Sequence, residues 1–233
     1  MKAIEKDYRT INTQQNNTSL IKSDQVKIIR IPQFLSKEDN DALYKAVCKE
    51  KNTFKSYKFS ESDTKTTTFL ELSSKSNNNL DTILTQKAYN ILTKQIIKQL
   101  PFIFNTLNIP PFPVSEIPLT FVNCSDGHYG TPHTDSINGQ YQISVLYYFN
   151  CVPKIFKGGD LQIFDTDDNS SKGYNSEPLF TVNFENNILL AFPSETFHGI
   201  TKVQSNSKKF SDGRFIAVGF LGSEPKNNIK EIT

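Results

Sequence analysis

The sequence predicts an α+β protein in which helices cover one face of an antiparallel barrel or a double-sheet jelly roll. Two patterns indicate this fold. In the first half, apolar residues recur at helical spacing over residues 36–50 and 81–100. After Val114, short β-rich runs alternate with turn residues, as in all-β architectures that fold back on themselves. Helices followed by strands favour a helical layer packed against a sheet.

The two predicted helices differ in their end signals. Ser36 precedes the first helix, and Asp39 stands three residues later in a capping-box-like arrangement. Leu43 and Val47 lie four apart, as a buried stripe on this helix requires. The second helix is expected to end at Pro101, because proline disrupts a helix interior.

The predicted strands lie on both sides of these helices. Residues 26–35 and the run TTTFLELS (66–73) are expected to be strands in the first half. Seven more are expected after Val114, at 117–124, 141–150, 160–165, 179–184, 187–192, 199–204 and 214–221. Residues 165–178 form the longest polar insert among them, and we expect a mobile surface loop there.

The length of 233 residues is typical of one domain. Residues 1–24 are polar and are expected to form a flexible arm before a single domain at 25–223, and residues 224–233 to form a polar tail. Because the first residues contain no apolar leader and no run approaches the ~20 residues of a membrane span, we expect a cytoplasmic protein without a membrane partner.

Charge and cysteine usage exclude several function classes. The net charge is +2, and the longest basic run is the pair Lys208–Lys209. Since a nucleic-acid footprint needs a clustered basic face, no nucleic-acid partner is expected. Three cysteines lie far apart without a CxxC pair, which indicates free thiols in a reducing compartment.

A candidate metal site appears among the three histidines of the chain. His133 and Asp135 are two residues apart, and on a strand such residues point to the same face. His198 follows a distant apolar strand that a jelly roll can bring opposite them. Two imidazoles and one carboxylate form the facial triad of non-haem Fe(II) oxygenases.

Other interpretations of these residues remain open at this point. A single His-x-Asp pair occurs often by chance, and an isolated histidine is more often a hydrogen-bonded core or surface residue. A structural zinc site is disfavoured, since such sites use four ligands and commonly cysteine. The β-rich context and the third ligand favour the iron interpretation.

An ordered series of motifs resembles the prolyl-4-hydroxylase-like Fe(II)/2-oxoglutarate dioxygenases. The series covers roughly residues 26–221 and consists of IPQFLSKEDNDAL (31–43), DGHYGTPHTD (126–135), ISVLYYFN (143–150), GGDLQIFD (158–165), NILLAFPSETFHGI (187–200) and GRFIAVGF (213–220). The resemblance implies a double-stranded β-helix, the family name for this jelly roll, with supporting helices on one face.

The resemblance also implies roles for individual residues. His133, Asp135 and His198 would bind Fe(II), and Arg214 would bind the distal carboxylate of 2-oxoglutarate together with the hydroxyl of Tyr148. Asn123 stands where several relatives have a tyrosine near the cosubstrate, and Tyr129 is a further candidate contact. These four are therefore candidate cosubstrate-binding residues.

Each of these roles has a competitor in the sequence. Lys208 and Lys209 are rival carboxylate anchors, because the gap between His198 and Arg214 is wide. Arg214 is preferred, since an apolar strand follows it directly and guanidinium matches a carboxylate in a bidentate pair. Tyr148 fits a core position almost equally well.

The reaction implied by the resemblance consumes O2 and 2-oxoglutarate, releases succinate and CO2, and hydroxylates an unactivated C–H bond. Ascorbate is a candidate reductant. The substrate implied is a prolyl residue of a peptide or a free amino acid, with a small metabolite as the alternative. Tyr129, Tyr141 and Tyr147 are aromatic residues suited to packing on a compact ring. The resemblance also disfavours halogenation, because Asp135 occupies the position where halogenases of the family have a small residue. The alternative to an enzyme is a catalytically silent jelly-roll binding module.

Overall fold

The computed structural model describes residues 9–12, 18–23, 26–57, 67–72, 83–136 and 139–222. Within these ranges the two α-helices are α1 (Lys37–Lys49) and α2 (Ile83–Leu107), and short 3-10 turns occur at Glu50–Thr53 and Phe210–Asp212. The strands are β1 (Arg9–Asn12), β2 (Ser19–Lys22), β3 (Lys27–Pro32), β4 (Lys55–Tyr57), β5 (Thr67–Leu72), β6 (Leu119–Cys124), β7 (Gly130–His133), β8 (Ile143–Phe149), β9 (Leu161–Phe164), β10 (Phe180–Val182), β11 (Ile188–Pro193), β12 (Phe197–Ile200) and β13 (Arg214–Leu221).

The strands form two antiparallel sheets. The major sheet has the order β1-β2-β3-β11-β8-β13-β6-β5-β4, and the minor sheet has the order β10-β9-β12-β7. From β6 to β9, and again from β10 to β13, consecutive strands alternate between the two sheets. This alternation winds the chain into a double-stranded β-helix, so the predicted α+β jelly roll is confirmed.

Strand β8 separates two cores, because successive side chains of a strand point to opposite faces. Val145, Tyr147 and Phe149 pack with residues of the helices in the first core. Leu146 and Tyr148 pack between the two sheets in the second core, which contains residues of β9, β10, β11 and β13. The interior of the jelly roll is therefore the face that carries Tyr148.

Helix α1 agrees with its prediction. The Ser36 hydroxyl accepts a hydrogen bond from the backbone N–H of Asp39 at 3.0 Å, which caps the first turn. Leu43 and Val47 are fully buried against the major sheet.

Helix α2 continues beyond its predicted end. The prediction that Pro101 ends the helix is wrong, since α2 runs to Leu107 with Pro101 inside it. Pro101 is exposed, whereas Ile103, Phe104 and Leu107 are buried in the helix-facing core. Burial of these side chains offsets the backbone hydrogen bond that proline cannot donate.

Strands β1 and β2 extend one edge of the major sheet. Residues Ser19–Lys22 pair antiparallel with Lys27–Arg30, and Ser19 is buried. Two strands thus lie inside the range 1–24, whose polar composition predicts a flexible arm. The division at residue 24 stays a prediction, and the tail 224–233 lies outside the described residues.

The insert at 165–178 packs on the minor sheet. Thr166 forms an isolated bridge with Tyr174. The Tyr174 ring contacts the rings of Phe164 and Phe197, with centroid distances of 5.5 and 5.1 Å. The polar composition of this segment suggested a mobile loop. Tyr174 instead packs the segment against the minor sheet.

The described helices do not include a segment with the length and apolarity needed to cross a lipid bilayer.

Candidate metal centre

The two strands β7 and β12 bring the predicted ligands together. His133 is the last residue of β7 and pairs directly with His198 of β12. Asp135 lies just beyond the strand, where its backbone N–H donates to the carbonyl of Ser194 at 2.9 Å. His133 and Asp135 were expected to share one face of a strand. Asp135 instead lies in a loop, and its hydrogen bond to Ser194 orients the carboxylate.

The three side chains converge on a small volume. The imidazole centroids of His133 and His198 are 4.4 Å apart. His133 Nε2 lies 3.6 Å from Asp135 Oδ1, and His198 Nε2 lies 3.5 Å from Asp135 Oδ2. One ligand atom from each residue lies within 4.8 Å of the others, so a single cation can contact all three.

Backbone contacts orient both imidazoles. His133 Nδ1 lies 2.8 Å from the carbonyl oxygen of Thr131, and His198 Nδ1 lies 2.9 Å from that of Thr196. A carbonyl can only accept, so each Nδ1 carries the proton and the lone pair of each Nε2 is available to a cation held between the imidazoles and Asp135. Burial also lowers the pKa of His198, which favours the neutral imidazole that a metal requires.

This donor set fits Fe(II). Two neutral imidazoles and one carboxylate, without thiolate, are the facial ligands of non-haem iron oxygenases. The side chains of Asp135 and His198 are 9% and 5% exposed, whereas that of His133 is 50% exposed. The centre is thus buried on one side and open on the side of His133, which gives it positions for other ligands.

Arg214 is a fully buried cation at the start of β13. Its Nε donates to the carbonyl of Gly159 at 2.7 Å, and its guanidinium lies over the rings of Tyr148 and Phe184, 5.0 and 4.9 Å from their centroids. Nη2 is buried without a hydrogen-bond partner. A buried unpaired cation is costly, so this arrangement favours an anionic ligand.

Tyr148 supplies a second unpaired donor beside Arg214. Its hydroxyl is buried and has no hydrogen-bond partner in the described structure. Burial raises the pKa of Tyr148 to about 12, although the nearby Arg214 opposes the shift. The hydroxyl therefore stays protonated and can donate to the same oxyanion as Arg214, which is what the distal carboxylate of 2-oxoglutarate requires.

The turn before β9 places Arg214. Gly158 and Gly159 have φ values of 67° and 73°, as the sequence analysis expected for a tight glycine turn. A Cβ on Gly159 would lie 2.5 Å from Cδ of Arg214. The close approach of this backbone to the arginine therefore requires glycine.

Asn123 is not part of this site. It has the same strand parity as Phe121, which packs in the helix-facing core, and its Nδ2 donates to the carbonyl of Phe210 at 2.8 Å. The adjacent Cys124 points to the interior and lies near Arg214. The prediction that Asn123 contacts the cosubstrate is wrong, because the strand turns this position away from the interior.

The remaining candidates are distributed around the site. Tyr129 is 49% exposed before β7, and no described contact ties it to the interior. Lys208 and Lys209 are exposed in the loop before β13, whereas Arg214 is buried. Tyr147 faces α1, where its hydroxyl donates to Asn40, so the suggestion that it packs on a substrate ring is wrong.

Two residues near the metal centre were missed by sequence reasoning. Ser144 and Ser194 are fully buried beside Asp135. Ser144 is the single small polar residue among the apolar and aromatic residues of ISVLYYF, and that isolation was the available signal.

Comparison with known proteins agrees with this geometry. Residues 119–222 match the model of the 2OG-Fe(II) oxygenase superfamily. The matched segment begins with β6 and ends just after β13, so it contains all four strands of the minor sheet, the three converging side chains and Arg214.

One curated relative is similar to part of this chain. An uncharacterised PKHD-type hydroxylase of Synechocystis sp. is 33% identical over 138 residues, which are 58% of this chain and 46% of the relative. The matched part is therefore less than half of that relative.

The solved structures resemble the fold. A prolyl-4-hydroxylase of Pseudomonas putida has a TM-score of 0.56 at 14% identity and covers 85% of this chain and 93% of its own. A Trichoplax adhaerens prolyl hydroxylase, in complex with a peptide fragment of the oxygen degradation domain of hypoxia inducible factor, has a TM-score of 0.58 at 13% identity and covers 84% and 83%. At these identities the similarity concerns the fold alone.

Proposed function

We propose that this protein is an Fe(II)/2-oxoglutarate-dependent dioxygenase that hydroxylates an unactivated C–H bond. The main support is the pair of buried donors without partners, Arg214 Nη2 and the Tyr148 hydroxyl, on the interior side of the jelly roll. A domain that bound its ligand through the triad alone would not need a buried position for an anion beside it.

In this proposal, His133, Asp135 and His198 hold Fe(II) through two Nε2 atoms and a carboxylate oxygen. Arg214 and Tyr148 bind the distal carboxylate of 2-oxoglutarate with charge-assisted hydrogen bonds. When bound, Fe(II) and 2-oxoglutarate supply the oxidising power, with O2 consumed and succinate and CO2 released.

The protein residues provide orientation and exclusion of water. On the interior face of β8, Ser144 contacts Asp135 at the metal end, Tyr148 lies at the carboxylate end, and apolar Leu146 lies between them. At ~3.4 Å per residue, these ends are about 14 Å apart along the strand. Phe192 packs edge-on against the His198 ring with a centroid distance of 5.0 Å, which keeps water from the buried side of the centre.

For the substrate, we propose a prolyl residue of a peptide or a free amino acid. Tyr141 packs against Phe220 with a centroid distance of 5.3 Å, and Phe220 pairs in register with Ser144. This aromatic pair therefore lies on the sheet face of the metal end and can pack on a compact aliphatic ring. The prolyl hydroxylase neighbours support the same class by analogy of fold.

The test uses purified protein with Fe(II) and 2-oxoglutarate. Succinate formation should require Fe(II) and should increase with a productive substrate, whose mass rises by one oxygen atom. Proline, proline-containing peptides and other free amino acids form the first panel. Stimulation by a non-prolyl compound alone would contradict the substrate proposal and leave the reaction class intact, whereas metal-independent or absent succinate formation would contradict the reaction class.

A cytoplasmic location is part of the proposal. Cys48, Cys124 and Cys151 are free thiols in the structure. Free thiols are typical of proteins in reducing compartments such as the cytoplasm. Fractionation of cells with an antibody to this protein would test the location.

A further inference from the structure

Behind the metal ligand Asp135 lies a buried pair of hydroxyls. Ser144 and Ser194 are both 0% exposed. The Ser144 hydroxyl donates to Asp135 Oδ2 at 2.6 Å, and the Oγ atoms of Ser144 and Ser194 are 3.0 Å apart. The two serines come from different strands, since Ser144 lies in β8 and Ser194 follows β11 directly.

Counting hydrogens gives this chain of contacts a direction. A serine hydroxyl has one proton to donate. Because Ser144 uses its proton on the carboxylate, Ser194 must be the donor in the contact between the two hydroxyls. The result is a relay in which Ser194 polarises Ser144, and Ser144 makes a short charge-assisted bond to Asp135.

The backbone of Ser194 holds the loop that carries Asp135. Its carbonyl accepts from the N–H groups of Asp135 at 2.9 Å and Ser136 at 3.1 Å, while its own N–H donates to the carbonyl of Gln142 at 3.0 Å. The loop after His133 is thus tied to the ends of β8 and β11. Both the side chain and the backbone of Asp135 are constrained by the same two serines.

We infer that Ser144 and Ser194 are positioning residues that hold Asp135 as a one-oxygen metal ligand. This inference rests on the proposed function. An octahedral ion held by two imidazoles and one carboxylate oxygen keeps three positions for other ligands. A carboxylate that bound the ion through both oxygens would occupy one of these three positions. The hydrogen bond that Ser144 donates to Asp135 Oδ2 opposes that arrangement, because Oδ2 is already in use.

The experiment measures metal binding directly and does not depend on turnover. Mn(II) affinity is obtained from the electron paramagnetic resonance signal of the free ion, and the visible absorption of bound Co(II) reports coordination number. Removing a partner that orients a metal ligand typically weakens metal affinity by about 10- to 100-fold. Ser144→Ala should show a loss of this size and an altered Co(II) spectrum, and Ser144→Thr, which keeps a hydroxyl, should restore both.

Two further variants separate positioning from general damage. Ser207→Ala removes a comparable serine–aspartate bond, 2.5 Å long and directed to Asp212, and should leave Mn(II) affinity unchanged. Ser194→Ala keeps the bond from Ser144 to Asp135 and should show a smaller loss than Ser144→Ala. If Ser144→Ala does not fold by circular dichroism, Ser194→Ala decides the question, and unchanged affinity in it overturns the inference.

The outcomes distinguish this inference from the proposed function. If the wild-type protein binds Mn(II) no better than Asp135→Ala, the proposed metal centre fails. If the wild-type protein binds Mn(II) and Ser144→Ala binds it equally well, the metal centre stands and the positioning role is overturned. Equal losses in Ser144→Ala and Ser207→Ala would also overturn it, because the effect would then be general.

Discussion

Replacement of Arg214 tests the carboxylate-binding position most directly. Arg214 is fully buried, its Nε is used by Gly159, and Nη2 has no partner. Truncating one partner of a buried, hydrogen-bonded charge pair costs about 2–5 kcal/mol. At ~1.4 kcal/mol per factor of ten, Arg214→Ala should weaken 2-oxoglutarate binding by about 30- to several thousand-fold. Titration calorimetry on the Mn(II)-loaded protein measures this change without turnover.

Two further variants make the test of Arg214 specific. Lys208→Ala changes an exposed cation in the preceding loop and should alter affinity by less than threefold. Arg214→Met keeps most of the side-chain volume and removes the unpaired charge, so it should lose 2-oxoglutarate binding without lowering the free energy of unfolding of the ligand-free protein. If Lys208→Ala weakens binding and Arg214→Ala does not, the anchor has been assigned to the wrong residue.

The remaining predictions concern the metal, the glycine turn and Tyr148. Asp135→Ala should abolish Fe(II)-dependent succinate formation, while Asp212→Ala should retain it, and turnover in the first variant would argue against the triad. Gly159→Ala should weaken 2-oxoglutarate binding, because the added Cβ would lie 2.5 Å from Cδ of Arg214. Gly139→Ala is the control, since Gly139 has a similar φ of 72° but no atom within 4 Å of an added Cβ, and it should leave binding unchanged. Equal losses of affinity in calorimetry would indicate backbone strain alone. Tyr148→Phe should weaken 2-oxoglutarate binding by about 10- to 100-fold, the value of a hydrogen bond to a charged group. Burial raises the pKa of Tyr148 to about 12, compared with ~10 in the unfolded chain. The contribution of Tyr148 to the free energy of unfolding is therefore present below pH ~10 and is lost as the pH rises to about 12. The stability of Tyr148→Phe should accordingly fall less steeply with pH over this range.

The convergence of His133, Asp135 and His198 could be predicted because little competes with them in the sequence. With only three histidines in the chain, the His-x-Asp pair and His198 leave few combinations. The place of Arg214 at the start of a buried strand could be predicted because an apolar run follows it directly, and its role as the carboxylate anchor stays a prediction. Both inferences use local spacing, which a jelly roll preserves when it brings distant strands together.

The wrong placements of Tyr147 and Asn123 share one physical cause, which is strand parity. Every residue of β8 is buried, so the run ISVLYYF shows no alternation of polar and apolar residues. Tyr147 and Tyr148 are both aromatic and adjacent, and only the packing of α1 against one face assigns them to opposite cores. Asn123 was misplaced for the same reason, since its neighbour Cys124 occupies the interior position.

Pro101 shows a different limit of sequence reasoning. The local preference against proline in a helix is worth about 3 kcal/mol. Burial of a large apolar side chain contributes about 1.5–3 kcal/mol, and α2 buries three beyond the proline, at Ile103, Phe104 and Leu107. The tertiary contribution exceeds the local one, and it cannot be assessed before the sheet is known.

The position of β7 at the end of the minor sheet links metal exchange to strand opening. In the described part of the chain this strand pairs with β12 alone, is four residues long and contains Pro132, which donates no hydrogen bond. Such a strand is expected to separate locally at a low free energy. An ion bridging His133 and His198 would cross-link the two strands and add RT ln(1 + [M]/Kd) to the stability of that edge. Amide hydrogen exchange in β7 should therefore be slower in the metal-loaded protein than after the ion has been removed.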